Sequence, residues 1–164
     1  MLCNCLYLEL MFHIVLYQPE IPPNTGNIMR LCANSGCQLH LIHPLGFEID
    51  DKRMRRAGLD YIDKSLVHEY PDYASCIENL SASRLFACST KGTKNYSQVD
   101  YQAGDALIFG PETRGLPNDV LNSYDANNIL RVPMLENSRS INLSNTVSIF
   151  IFEAWRQNSF GGSV

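Results

Sequence analysis

The sequence has few charged residues and no long hydrophobic run, and each absence narrows the class of protein. Charged residues make up 18% and apolar residues 45% of the 164 residues, whereas globular proteins usually carry about 25% charged residues. Disordered chains show the opposite balance, so this composition predicts one folded domain with much of its surface covered, as in an oligomer. No apolar run reaches the ~18 residues that span a bilayer, and we therefore expect no membrane segment.

The cysteine patterns typical of metal sites are also missing. The six cysteines form no CxxC pair and no combined Cys/His ligand set, and we therefore expect reduced thiols, no bound metal and a cytoplasmic location. The net charge of −4 argues against a broadly basic protein that binds nucleic acid without regard to sequence, although it leaves room for a local basic patch.

Three nucleotide-binding and hydrolase motifs are absent. No GxGxxG follows the first predicted strand, and neither GxxxxGK[ST] nor GxSxG occurs. An ordinary dinucleotide-binding fold, a P-loop and a nucleophile elbow are therefore not supported. The four histidines lie in or beside strand-like runs, which favours packed or surface side chains over a catalytic base.

Strand-like and helix-like segments alternate along the whole chain. Apolar, β-branched runs predict strands at 12–17, 38–44, 65–70, 84–90, 106–110 and 128–133, and capped amphipathic runs predict helices at 26–36, 50–58, 72–82 and 118–124. For the first helix, Asn24 or Thr25 is the expected N-cap and Gly36 the C-terminal stop. This alternation is typical of a single-domain α/β protein with a parallel sheet flanked by helices.

The two ends of the chain need separate interpretation. Residues 1–10 precede Met11, which opens the first strand-like run, so we interpret them as an extension from an upstream start codon and place the domain at 11–164. The last segment, 142–158, is compatible with a strand or a helix, and we favour the helix because small polar residues open it and Arg156 lies near its end. It is apolar on nearly all sides at 147–155, so it needs two partners, the sheet and a second subunit.

Three strand ends carry loops of unusual composition, and loops at the carboxyl ends of parallel strands surround ligands. The loops follow Cys88, Phe109 and Val132, and the last two read "GPETRGLP" and "PMLENSRSINLSN". A fourth polar segment, "NTGNIMR" at 24–30, places Asn24, Asn27 and Arg30 around one helix start. It is either a capped helix with a surface Arg or a convergent polar site, and spacing alone leaves both open.

Taken together, "NTGNIMRLCANSG", "FGPETRGLP" and "VPMLENSRSINLSN" resemble the three motifs of the SpoU-type RNA 2′-O-ribose methyltransferases of the SPOUT superfamily. "PLGFEIDDKRMRRAGLDY" and "EAWRQ" are similar to the short members that methylate the wobble nucleotide of leucine tRNAs, and the resemblance covers about residues 11–162. It implies a parallel sheet with a deep C-terminal trefoil knot, S-adenosylmethionine bound within the knot, tRNA as substrate, and a homodimer formed through the C-terminal helix.

The resemblance also implies individual site residues. Arg30 corresponds to the proposed catalytic residue, which Asn24 helps to orient, and the cofactor is held by Cys88, Gly110, Val132 and Ser140. We expect Arg30 to anchor a phosphate and stabilise the developing alkoxide, because a guanidinium is a poor base and a good donor to oxyanions.

Two positions depart from the family pattern. Cys88 stands where Leu is frequent, a change that a backbone contact tolerates. Phe152 stands where close relatives carry Tyr, so no role can be assigned to that hydroxyl in this chain.

RNA affinity has to come from local positive charge in a chain of net negative charge. Two groups of cations are expected to contact tRNA, one at 52–56 (Lys52, Arg53, Arg55, Arg56) and one at the rim of the site (Lys91, Lys94, Arg114, Arg139). Two other functions stay open, namely the same chemistry on another RNA such as ribosomal RNA, and a cofactor- or RNA-binding module without catalysis.

Overall fold

The computed structural model describes residues 12–48 and 66–164. The strands in these residues are β1 (His13–Tyr17), β2 (Gln38–Ile42), β3 (Val67–Tyr70), β4 (Arg84–Cys88), β5 (Lys94–Asn95), β6 (Asp105–Phe109) and β7 (Ile129–Arg131). The helices are α1 (Pro22–Ser35), α2 (Tyr73–Asn79), α3 (Asn118–Asn122) and α4 (Leu143–Gln157). Short 3-10 turns lie at 96–98 and 126–128.

The described strands form one sheet in the order β3-β2-β1-β6-β4-β7-β5. Every pair of neighbouring strands is parallel, which confirms the predicted α/β class. Because the strands are parallel, the loops that follow β4, β6 and β7 all leave from the same edge of the sheet, and these three strands lie side by side in its middle.

The position of β7 is the unusual feature of this topology. β7 follows β4 and β5 in the chain but lies between them in the sheet, so residues 89–93 have to cross over it. The crossing is close, because Ser89 N–H donates to the Leu130 carbonyl at 2.8 Å and a Cβ added at Gly92 would lie 2.6 Å from the Ile129 carbonyl oxygen. The arrangement is compatible with the deep knot implied by the resemblance, which stays a prediction.

The core has one layer on each face of the sheet. On one face, alternate side chains of β1, β2 and β6 pack against α1 and α4, with Ile28, Phe150 and Ile151 as fully buried contacts. On the other face, the intervening side chains pack against α2 and α3 through Cys76 and Val120. This alternation follows from the two-residue period of a strand, and a sheet covered on both faces explains why the strands read as continuous apolar runs.

The C-terminal helix was the ambiguous segment, and α4 confirms the helical interpretation. Asn142 is its N-cap and accepts hydrogen bonds from the backbone N–H groups of Ser144 and Asn145. One side of α4 is buried against the sheet and α1, whereas Phe152 on the other side is 49% exposed. None of the helices in the described residues is long and apolar enough to cross a membrane.

The start of α1 corrects the sequence prediction. The helix begins at Pro22, four residues before the predicted start, and neither Asn24 nor Thr25 caps it, because both lie within it. Proline is tolerated in a first turn, since the N–H groups of that turn have no partner within the helix. Gly36 ends the helix in the left-handed conformation, as predicted.

The other element boundaries agree with the prediction to within a few residues, apart from β5, a two-residue edge strand that no periodicity could reveal. The predicted helix at 50–58 and the extension at 1–10 lie outside the described residues.

Candidate active site

A cavity of about 380 Å³ opens at the carboxyl ends of β4, β6 and β7. The four positions assigned to the cofactor all line it, namely Cys88, Gly110, Val132 and Ser140, and Asn24 of α1 lies in the same wall. The three loops and the first turn of α1 are far apart in the chain, and the parallel sheet brings them to one place.

The inner wall of the cavity is apolar and its rim is polar. Phe109, Leu130 and Phe150 line it from within and are nearly inaccessible to solvent. The Cys88 thiol is buried beside them, and burial raises its pKa well above the ordinary value, so it stays a neutral, weakly polar group. A site of this size and composition suits a small organic ligand with an apolar body and a few polar groups.

Gly110 is required by the path of the loop that follows β6. A Cβ at this position would lie 2.2 Å from the backbone nitrogen of Leu116 and 2.3 Å from the carbonyl carbon of Gly115. The loop closes through a hydrogen bond from Gly115 N–H to the Pro111 carbonyl at 2.9 Å. Any side chain at position 110 would therefore displace this turn, which is part of the cavity lining.

Glu112, in the same loop, joins β6 to the beginning of α1. Its carboxylate accepts hydrogen bonds from the backbone N–H groups of Glu20, at 2.9 Å, and Ile21, at 3.3 Å. It also accepts one from the side-chain amide of Asn24 at 2.9 Å. A carboxylate at a helix start satisfies N–H groups that have no partner within the helix and interacts favourably with the helix dipole. The start of α1 is thus completed by a residue that lies 91 positions beyond its N-cap, Ile21.

Asn24 and Asn142 extend this network to the third loop. The Asn142 amide donates to the side-chain oxygen of Asn24 at 3.0 Å, while its own oxygen accepts from Ser144 N–H at 2.9 Å as the N-cap of α4. Both ends of the Asn24 amide are therefore occupied, and Asn24 is only 5% exposed. The three polar segments are held together by one chain of hydrogen bonds from Glu112 through Asn24 to Asn142.

A second set of contacts fastens the outside of the same loop. The Glu20 carboxylate accepts from the Thr113 hydroxyl at 2.5 Å and pairs with the Arg114 guanidinium. Arg114 also donates to the side-chain oxygen of Gln18 at 2.8 Å. Two acceptors therefore hold this guanidinium against the segment before α1.

The predicted catalytic pair is divided by the structure. Asn24 is buried in the cavity wall, whereas Arg30, two turns later on α1, is exposed and is not among the described residues that line the cavity. Of the predicted rim cations, Lys91 and Arg114 line the cavity, and Lys94 and Arg139 do not. The predicted cluster at 52–56 lies outside the described residues.

Sequence reasoning missed Arg131 as a wall residue and assigned no role to Glu112 or Asn142. The acidic residue directly after a strand-ending glycine was the available signal for Glu112. Asn142 could have been found as the N-cap that α4 requires, since Asn is a preferred residue at that position.

Comparison with known proteins gives a consistent result. The model of the SpoU rRNA Methylase family matches residues 11–152. A protein of Saccharophagus degradans named tRNA (cytidine(34)-2'-O)-methyltransferase is 58% identical over 153 residues, which cover 93% of this chain and 99% of the relative. A solved structure described as giving insights into the 2-OH methylation of C/U34 on tRNA is 41% identical, with a TM-score of 0.83. The match covers 92% of this chain and 97% of the chain in that structure.

A more distant structure agrees in fold alone. The SpoU methyltransferase AviRb of Streptomyces viridochromogenes, crystallised in complex with AdoMet, is 22% identical, with a TM-score of 0.79, and the match covers 94% of this chain and 60% of AviRb.

Proposed function

The chain belongs to the SpoU rRNA Methylase family, and from that premise we propose that it methylates the ribose 2′-hydroxyl of the wobble nucleotide, cytidine or uridine 34, of tRNA. The observation that carries the proposal is the junction of three polar segments at one cavity through Glu112, Asn24 and Asn142. The name of the relative from Saccharophagus degradans, which matches nearly the whole chain, supports the same substrate and reaction.

The cavity fits S-adenosylmethionine in size and in the chemistry of its walls. Phe109, Leu130 and Phe150 present apolar surface suited to a purine ring, and Ser140 contributes a hydroxyl to the same lining. We assign the backbone at Cys88, Gly110 and Val132 to the polar edges of the ligand. Gly110 supports this assignment, because a residue without Cβ lets a ligand approach the backbone closely. When bound, S-adenosylmethionine supplies an already activated methyl group.

The chain's own contribution is alignment of the RNA hydroxyl and stabilisation of the charge that develops on it. We assign that stabilisation to Arg30, whose guanidinium also suits an adjacent phosphate. Asn24 is a positioning residue in this scheme, since both ends of its amide are engaged by Glu112 and Asn142. It fixes the first turn of the helix that carries Arg30 two turns later.

The exposed position of Arg30 is understandable if two copies of the chain pair. Phe152 and Phe160 are 49% and 40% exposed, and both rings contact Trp155 near the end of α4. Because α4 packs on α1, a partner that covers α4 also lies beside α1. We therefore assign a homodimer through α4, in which Arg30 acts at the junction of the two copies.

The finer substrate is the leucine tRNAs, and the cellular location is the cytoplasm, where tRNA is modified. The resemblance of the chain to short wobble-nucleotide enzymes supports both assignments. Ribosomal RNA is the second candidate substrate, because the family description names rRNA methylation.

The test is methyl transfer from radiolabelled S-adenosylmethionine to total tRNA and, separately, to ribosomal RNA, followed by nucleoside digestion. Label in 2′-O-methylated position 34 of leucine tRNAs supports the proposal. Label only in ribosomal RNA supports the second candidate, and cofactor binding without transfer to either RNA identifies a binding module.

Arg30→Ala tests the assigned catalytic residue in the same assay. Transfer should fall at least about 100-fold, because a preorganised charge at the reacting oxygen is lost, while calorimetry should show cofactor affinity within about twofold of wild type. Arg30→Lys, which keeps the charge but loses the planar donor pair, should recover only part of the rate. Cofactor affinity lost from a folded Arg30→Ala protein would contradict the assignment.

A further inference from the structure

Among the described residues, four charged side chains line the cavity, and two of them are held by contacts with the beginning of α1 and the segment before it. Glu112 is engaged by three N–H donors, and Arg114 is paired with Glu20. The other two are Lys91 and Arg131, and neither forms an ion pair with a carboxylate of the described residues. Lys91 and Arg131 are therefore the two wall cations that no carboxylate pairs with in the described part of the chain, while Glu112 is turned to N–H donors around the start of α1.

Lys91 is held in place despite its exposure. It lies in a tight turn in which Gly92 N–H donates to the Ser89 carbonyl at 3.1 Å and Lys91 N–H donates to the Ser89 hydroxyl at 3.2 Å. The ammonium group donates to the side-chain oxygen of Asn118, the first residue of α3, at 2.8 Å. Asn118 thus directs the lysine with a neutral oxygen, and the full charge stays available to an anion.

The charge of the ligands indicates which anion this is. S-adenosylmethionine carries a sulfonium and an ammonium against one carboxylate, so a positive wall gives it little net attraction. RNA carries one negative charge per nucleotide, and a protein with a net charge of −4 has to bind it through local cations. An exposed lysine at the rim of the cavity suits a phosphate that lies outside the cavity better than a group buried in it.

We propose that Lys91, directed by Asn118, binds a backbone phosphate of the RNA at the rim of the cavity, and that Arg114 makes no such contact. This inference rests on the proposed function. It separates two cations that the sequence placed together as RNA contacts, because the structure gives one a neutral partner and the other an acidic one.

Asn118→Asp provides the sharpest test. The new carboxylate is expected to keep the contact with Lys91 and to neutralise its charge, and an acidic residue is favourable at the start of a helix, so the fold should be retained. Lys91→Ala removes the cation outright. Gln102→Glu is the matched control, because it adds the same negative charge at an exposed position before β6, at the opposite edge of the sheet.

The measurement is the dissociation constant for leucine tRNA at several salt concentrations, together with that for S-adenosylmethionine. Lys91→Ala and Asn118→Asp should each weaken tRNA binding about tenfold, as expected for one charge-assisted hydrogen bond. Each should also lower the slope of log K against log salt by about 0.7, the value for one contact to a single strand. Gln102→Glu and Arg114→Gln should leave that slope unchanged, and cofactor affinity should stay within about twofold in Lys91→Ala.

Two results would overturn the inference. In one, Lys91→Ala weakens cofactor binding and leaves tRNA binding intact, which would assign Lys91 to the cofactor carboxylate. In the other, Asn118→Asp and Lys91→Ala both bind tRNA as wild type does. A wild-type protein that neither binds nor methylates tRNA would instead refute the proposed function, so the two failures are distinguishable.

Discussion

Acid should destabilise this protein through His40, which is buried within a row of aromatic groups. His40 is 3% exposed, and its Nε2 lies 3.1 Å from Nδ1 of His13. Its Nδ1 lies 3.1 Å from the Tyr70 hydroxyl. Its ring stacks on that of His68, with 5.1 Å between the ring centroids. Both nitrogens of His40 are therefore engaged in a space that has no acidic group among these neighbours.

The pKa of His40 follows from this environment. Burial, followed by repulsion from His13 and His68, lowers the pKa of His40 from 6.5 to about 3. In the unfolded chain the imidazole takes up a proton near pH 6.5, whereas in the folded protein it stays neutral down to about pH 3. The unfolded state therefore binds more protons between these values, and the free energy of unfolding falls as pH falls through this window.

The magnitude can be estimated from the two pKa values. The unfolded-state imidazole takes up its proton near pH 6.5, so between pH 6.5 and pH 5.0, about 1.5 pH units, only the unfolded state is protonated. At 1.36 kcal/mol per pH unit, acidification from pH 7.5 to pH 5.0 lowers the free energy of unfolding by about 2 kcal/mol. For a chain of this size the melting temperature should fall by roughly 4–8 °C.

The assay is chemical denaturation of wild type and His40→Gln at pH 7.5 and pH 5.0. The glutamine does not titrate but still donates and accepts hydrogen bonds, so the variant should be less stable at pH 7.5 yet lose about 2 kcal/mol less than wild type on acidification. His43→Gln is the control, because His43 is a surface residue paired with Glu69, and it should keep the wild-type pH dependence. The reasoning would be refuted if the stability lost between pH 7.5 and pH 5.0 differed by less than about 0.5 kcal/mol between wild type and His40→Gln.

Three further outcomes follow from the contacts of the site and of α4. Gly110→Ala should abolish calorimetric cofactor binding, because its Cβ would meet the backbone of Leu116. Gly36→Ala, which is strained but meets no atom within 4 Å, should lower the melting temperature and keep that binding. Glu112→Gln should lower the stability measured in urea by about 1–3 kcal/mol, since it removes a charge-assisted hydrogen bond and leaves one of the N–H donors of this contact facing an amide N–H2 group. Phe152→Glu should convert the proposed dimer to a monomer in analytical ultracentrifugation, and an unchanged mass would contradict the assigned interface.

Local periodicity predicted most of the fold. The runs that became β1, β2, β4 and β6 are continuous and apolar because both faces of the sheet are covered. The alternation of these runs with helices was sufficient to predict the parallel α/β class. The first turn of α1 was predicted wrongly, because Asn24 resembles an N-cap in sequence, whereas its actual partners are 88 and 118 residues away.

The candidate site was predicted in part. The resemblance selected the residues that line one cavity, including Gly110, Val132 and Ser140, while their roles and that of Arg30 stay proposals. It did not distinguish Lys91 from Arg114, because both are cations in loops and differ only in the neutrality of their partners.

The sequence by itself determined most of the elements, since strand and helix periods, glycine stops and apolar runs depend on neighbours within a few residues. Only the tertiary structure decided that β7 lies between β4 and β5 and that a carboxylate of the loop after β6 completes the start of α1. It also decided that the Asn24 side chain bonds to Glu112 and Asn142 and does not cap the helix. The physical reason is that a hydrogen bond is a contact in space, and the partners of Asn24 in sequence are not its partners in the fold.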